Sequence, residues 1–165
     1  MGSAGSVSGA AEEIERKFLV PRLPAGIEAC PHDTIVQGYL TGPEASNEVR
    51  LRRRGERYQL TVKSRGGVVR REGEIDIDRS RYDALWPFVA ERVVEKVRYR
   101  LPLSPSCVAE IDVYAGRLQG LVTAEVEFVS VAASDAFVPP PWFATEVTTD
   151  PRYRNESLAL RGLPG

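Results

Sequence analysis

The chain has 165 residues, 42% of them hydrophobic and 27% charged, which fits one soluble domain with a real core. A net charge of −1 excludes a global attraction to nucleic acid or to acidic membrane surfaces. No apolar run approaches the ~18 residues of a membrane-spanning helix, and nothing resembles a signal peptide.

Residues 1–10 are rich in Gly, Ser and Ala and read as a disordered leader or cloning remnant, which leaves 11–165 as a single domain. The stretch from Glu13 to Val20 is short and β-prone. As a strand it sends Glu13, Glu15 and Lys17 to one face and Ile14, Arg16 and Phe18 to the other. Carboxylates about 7 Å apart on one face repel each other unless a cation lies between them. A lysine one step further on can hold an anion beside that cation. A metal ion with a phosphate satisfies all three groups; a water-facing edge strand is the plainer alternative.

Pro21 to Pro31 reads as a loop, followed by strands over Thr34–Leu40 and Asn47–Arg54. Gly55-Glu56 turns the chain into a hairpin partner, Arg57–Lys63. Gly66-Gly67 begins another turn, and Val68–Asp78 alternates as a fifth strand. Between Ser80 and Val94 the period changes: Tyr82, Leu85, Trp86, Val89 and Val93 fall at helical spacing, capped by Asp78 or Ser80. Pro87 inside that pattern predicts two shorter pieces or a kink. Strands return over Val93–Leu101, Val108–Ala115 and Leu121–Ser130. A helical turn over Val131–Phe137, a Pro139-Pro140-Pro141 connector and a short helix over Arg152–Leu160 complete the chain.

Cys30 and Cys107 fit no metal or redox motif and read as reduced thiols of a cytoplasmic protein. His32 is the single histidine, in a Pro-rich loop, so neither a His-based metal centre nor a Ser/His triad is available.

The charges are sorted by sign. Arg50, Arg52 and Arg54 share one strand face, Lys63 and Arg65 another, and Lys96, Arg98 and Arg100 a third. Glu72, Glu74 and Asp76 form an acidic face, as do Glu110 with Asp112 and Glu125 with Glu127. The opposite faces are apolar. Like charges at i and i+2 repel, so single-sign faces on several strands point to a charged guest. An eight-stranded antiparallel barrel encloses room for one small ligand, with acids holding metal and bases holding phosphate. An open sheet with its charged face in water has the same periodicity. The Arg run at 52–54 lacks the exposed aromatic platform of a single-stranded RNA binder.

Glu13-Ile14-Glu15-Arg16-Lys17 resembles the ExExK signature of the CYTH superfamily, the triphosphate tunnel metalloenzymes. Gln37–Leu40, Glu48–Arg52, Leu60–Lys63, Glu95–Tyr99, Glu110–Tyr114, Ala124–Phe128 and Val147–Asn155 match its other motifs in order. The compact length and the Pro-Pro-Pro-Trp-Phe segment at 139–143 are similar to small bacterial inorganic tripolyphosphatases. The resemblance implies a mainly β (α+β) fold, an eight-stranded antiparallel closed tunnel barrel with a few peripheral helices. It also implies hydrolysis of a triphosphate with Mg²⁺ or Mn²⁺, as two ions.

By position, the resemblance gives Glu13, Glu15, Asp112, Glu125 and Glu127 to metal. It gives Lys17, Arg50, Arg52, Lys63, Lys96, Arg98 and Arg154 to phosphate, with Glu72 and Glu74 as supporting acids. Relatives often carry Lys where Arg154 stands. Lys17, Glu13 and Glu127 are the expected catalytic residues. The expected activity is metal-dependent hydrolysis of inorganic tripolyphosphate to phosphate and pyrophosphate, by a monomer or homodimer with no nucleic-acid or membrane partner. The rivals are a class IV-type adenylate cyclase, a nucleoside or thiamine triphosphatase, and a non-catalytic binder of polyphosphate or triphosphorylated RNA.

Overall fold

A computed structural model describes residues 13–65 and 71–165. The leader at 1–10, the Gly66-Gly67 turn and the start of the strand expected from Val68 lie outside the described residues. Eight strands form one antiparallel sheet: β1 (Ile14–Leu19), β2 (His32–Tyr39), β3 (Asn47–Arg54), β4 (Arg57–Ser64), β5 (Glu72–Ile77), β6 (Val93–Ser104), β7 (Cys107–Tyr114) and β8 (Val122–Phe128). Their spatial order is β1-β8-β7-β6-β2-β3-β4-β5. The mainly β architecture and all eight strands agree with the sequence pattern. The ring, however, is open: among the described residues no ladder joins β1 to β5, and the sheet is a curled half-barrel rather than a closed tunnel.

Alternation decides which face curls inward. The outward apolar residues are covered by short helices and loops. α1 (Arg79–Leu85) and the 3-10 turn Trp86–Phe88 pack Tyr82, Leu85, Trp86 and Val89 over Leu51, Tyr58, Leu60 and Ile77. The Asp78 side chain caps α1 by accepting from the Arg81 N–H. Pro87 splits the long helix expected over Ser80–Val94, and the chain is back in β6 at Val93. Gly38 is required by this packing, because a Cβ there would meet Val89 Cγ2 at 2.4 Å.

On the other side, α2 (Val131–Ala136) and the segment from Phe137 to Phe143 cover Phe18, Ile111, Ala124 and Val126. Phe18 lies 4.9 Å from Phe143 between ring centroids. α3 (Asn155–Arg161) closes one end of the half-barrel, burying Leu158 and Ala159 against Tyr39, Val94, Tyr114 and Leu118. It begins later than the helix expected from Arg152, because Asp150 and Pro151 start a separate 3-10 turn over Pro151–Tyr153. His32 opens β2 rather than lying in a loop, its ring 5.0 Å from that of Tyr99. Cys30 and Cys107 are free thiols. No helix among the described residues is long and apolar enough to cross a membrane.

Candidate active site

The inner face of the half-barrel encloses about 540 Å³, lined almost entirely by charged and polar side chains. One wall is β1 with β8. Their register sets Glu15 directly opposite Glu127 and Lys17 opposite Glu125. Lys17 Nζ reaches Glu125 Oε1 at 3.0 Å and donates to the Tyr153 carbonyl at 2.9 Å. Glu15 and Glu127 have no such relief: among the described residues neither carboxylate has an ion-pair partner. Like charges placed directly opposite are destabilising. Burial first, and then the nearby Glu125 and Glu13, push the Glu15 carboxyl up to about 7.

The facing wall is β3 with β4. Arg52 is half-buried, donates to the Gln37 carboxamide oxygen at 3.1 Å, and pairs with no carboxylate among the described residues. Burial, with Arg50 and Arg98 adjacent, pushes it down to about 10. Arg50 donates to Glu48 Oε1 at 3.0 Å, but its Nε is buried with no hydrogen-bond partner. On β5, Glu74 accepts from Gln59 at 2.7 Å and from Thr61 at 3.0 Å, and Glu72 lies 3.6 Å from Lys63. Lys63 also pairs with Glu13, which links β4 to the chain entering β1 across the open side of the ring.

Two residues expected in the site are not brought to its lining. Lys96 and Asp112 are fully buried behind the wall, with Lys96 Nζ 2.6 Å from Asp112 Oδ2. Arg98 donates to the same carboxylate from Nε at 2.7 Å and from Nη2 at 2.8 Å. Burial opposes ionisation of Asp112, but Lys96 and Arg98 hold its carboxyl well below the usual range. Burial pulls Lys96 down to about 8 against the pull of Asp112. Asp112, fully buried and outside the cavity lining, is poorly placed to ligate a metal ion there. Arg98 itself lines the cavity, 3.7 Å from Glu125 Oε2.

The remaining expected residues, Glu13, Glu15, Lys17, Arg50, Arg52, Lys63, Glu72, Glu74, Glu125, Glu127 and Arg154, all line the cavity. Arg154 does so from just before α3, at the capping position, rather than from within the helix.

Sequence reasoning missed Tyr39, Glu48, Thr148, Asp150, Tyr153 and Asn155, which also line it. Glu48 was legible, one alternation before Arg50 on the same face. The C-terminal group was not, since nothing in its spacing says that residues 147–156 fold back across the mouth. Arg65 ties that segment down by gripping the buried Glu156, at 2.5 Å from Nη1 to Oε1.

The donor set is all oxygen, which suits hard cations such as Mg²⁺ or Mn²⁺. Among the described residues no three His, Cys, Asp or Glu side chains stand together as a ready metal centre. The Glu15–Glu127 pair, opposed in register and without an ion-pair partner among the described residues, nonetheless has donors of the right kind for such an ion. A cleft that holds unpaired carboxylates beside an under-compensated guanidinium has the charge pattern of a polyanion-binding site.

The comparisons agree with that pattern. The CYTH domain model matches residues 11–127. An inorganic triphosphatase of Nitrosomonas europaea is 51% identical over 149 residues, covering 90% of this chain and 97% of that protein. An inorganic triphosphatase of Acetivibrio thermocellus is 33% identical over 154 residues, covering 89% and 92%. The crystal structure of the inorganic triphosphatase NE1496 superposes with a TM-score of 0.74 at 46% identity, over 96% of this chain and 100% of that one. The chain belongs to the CYTH domain family.

Proposed function

We propose that the protein hydrolyses inorganic tripolyphosphate to phosphate and pyrophosphate in a metal-dependent reaction. The observation that carries this reading is Arg52, a half-buried guanidinium whose hydrogen-bond partner is a neutral carboxamide, lining the same cavity as Glu15 and Glu127. A partly desolvated cation short of an anion and carboxylates short of a cation are both satisfied by one metal–phosphate guest. The inorganic triphosphatases at 51% and 33% identity support the same substrate.

In this reading Arg50, Arg52, Lys63 and Arg98 clasp the phosphate chain, and Arg154 meets it at the mouth. Lys17, poised between Glu125 and the Tyr153 carbonyl, stabilises charge on the leaving pyrophosphate. Glu13, Glu15, Glu125 and Glu127 would hold Mg²⁺ or Mn²⁺, which when bound would supply charge neutralisation and a more acidic water. Glu72 and Glu74 orient the basic residues beside them. Asp112 and Lys96 act behind the wall, fixing Arg98. The open ring becomes a closed tunnel around the bound chain, with the Lys63–Glu13 contact already spanning the gap. The protein works in the cytoplasm as a monomer or homodimer.

Tripolyphosphate presents a charged group at both ends, whereas ATP replaces one with a nucleoside ester. Losing one charge-assisted contact costs roughly tenfold or more in kcat/KM. Phosphate release from tripolyphosphate, ATP and thiamine triphosphate, each with Mg²⁺ and with chelator, tests the assignment. The expected order puts tripolyphosphate first, with activity abolished by chelator and cut roughly 100-fold in Lys17→Met or Glu127→Gln. An ATP value at or above that of tripolyphosphate, or cyclic AMP as product, would overturn it.

A further inference from the structure

Arg16 alternates between two cavity residues, Glu15 and Lys17, yet its side chain lies on the opposite, outer face of β1. It is engaged more completely than an ordinary surface arginine. Nε and Nη2 grip the two oxygens of Glu146 at 2.9 and 2.7 Å. Nη1 donates to the carbonyls of Ser134 and Phe137 at 3.1 and 3.3 Å. The guanidinium lies 5.2 Å from the Phe18 ring centroid and 5.8 Å from that of Phe137. Exposed ion pairs contribute little as a rule, but a bidentate fork stacked on aromatic rings is the geometry in which they do.

Glu146 connects this grip to the cavity. Its Oε1 also accepts from the Thr148 hydroxyl at 2.7 Å, and Thr148 Oγ1 in turn accepts the Lys17 N–H at 3.0 Å. The backbone of the same segment runs along the otherwise free edge of β1. Ala144 N–H donates to the Leu19 carbonyl at 2.8 Å, and Val147 N–H donates to the Lys17 carbonyl at 2.8 Å. Past Thr148 the chain delivers the Tyr153 carbonyl to Lys17 Nζ. Lys17 is therefore held from both its backbone and its ammonium by a segment whose anchor is Arg16.

We propose that Arg16 is a positioning residue: through Glu146 it docks residues 144–148 on β1, and thereby places Thr148 and Lys17 in the cavity. It touches no substrate. The kinetic consequence rests on the function proposed above, and the docking itself does not.

Arg16→Gln, Glu146→Gln, the double variant and Arg16→Lys test the idea with two readouts. Hydrogen exchange on the metal-free protein reads docking directly. Both single variants should lose protection at Lys17, Val147 and Ala144 while β6 and β7 keep theirs. Steady-state kinetics with tripolyphosphate should show kcat/KM lowered roughly tenfold in each single variant. The double variant should fall no further, because both changes break one contact. Arg16→Lys, which keeps the charge and loses the fork, should resemble Arg16→Gln.

If Arg16 acted only as a positive charge near the site, Arg16→Lys would behave as wild type and the two neutral variants would shift KM in opposite directions. That outcome, additive losses, or unchanged exchange at Lys17 and Val147 would each overturn the proposal. An inactive wild type would refute the proposed function alone, since the exchange result stands without it.

Discussion

The β6–β7 wall and the β1–β8 wall carry the same kind of sequence and reach opposite electrostatic outcomes. Each presents like charges along a strand. Between β6 and β7 the register sets Arg98 opposite Asp112, Arg98 pairs with both Asp112 and Glu110, and Arg100 finds its counter-ion in Asp33 of β2, so the charges of this wall are answered from within the protein. Between β1 and β8 it sets Glu15 opposite Glu127, and among the described residues neither carboxylate has an ion-pair partner. The cations of the first wall have counter-ions without a ligand; the Glu15–Glu127 rung of the second has none among the described residues. Sign sorting along a strand therefore does not distinguish a self-satisfied wall from one that awaits a guest. Cross-strand register does.

That distinction breaks if the two walls respond alike to loss of charge. The largest expected effect is in the first wall. Asp112→Asn leaves Lys96 and Arg98 buried against a neutral amide, and should cost about 3–5 kcal/mol of stability with no rescue by metal or triphosphate. Urea denaturation measures it, and a loss near zero would erase the contrast.

Next is the pH response of the second wall. The raised carboxyl of Glu15 keeps a proton in the folded state that the unfolded chain has already released. Stability of the metal-free protein should therefore fall as pH rises from about 4.5 towards about 7, the size of the fall being limited by solvent screening of a side chain that is exposed at the cavity wall. Glu15→Gln should flatten that dependence, and saturating Mg²⁺ should do the same to the wild type. Denaturation midpoints at pH 5 and pH 8 decide between these outcomes.

Arg52→Met sharpens the comparison from the other side. Removing an under-compensated, half-buried cation should leave stability unchanged or raise it, while kcat/KM for tripolyphosphate falls roughly 100-fold. A loss of stability comparable to that of Asp112→Asn would place Arg52 among the self-satisfied groups. The smallest effect is ligand stabilisation. Mg²⁺ with a non-hydrolysable triphosphate at ten times its Kd should add about 1.4 kcal/mol, more than either alone, and raise Tm accordingly. A water-facing sheet would show no shift.

The strands and the identity of the inner face were legible because a period of two is a local property of the chain. Even the Asp78 cap and the break at Pro87 could be read in advance. Closure was not legible, since pairing between β1 and β5 depends on curvature accumulated over eight strands rather than on any residue. Nor was the fate of Asp112. Its spacing from Glu110 matches that of Glu125 from Glu127, and only its position opposite Arg98 turns it into an internal counter-ion. The C-terminal contribution escaped for the same reason: Thr148 and Tyr153 reach the cavity through backbone pairing with β1, which leaves no mark in side-chain pattern.

That backbone pairing bears on how the molecule is made. Every backbone-pairing partner of β1 among the described residues lies more than a hundred residues downstream, in β8 and in the segment around Glu146. The hairpins β3–β4 and β6–β7, by contrast, join residues a few positions apart and need little loop closure. Of the eight strands, β1 is thus among the last that can be seated. Glu15 and Lys17 wait without their strand partners, as part of an unfinished sheet, until β8 and the segment around Glu146 have been made.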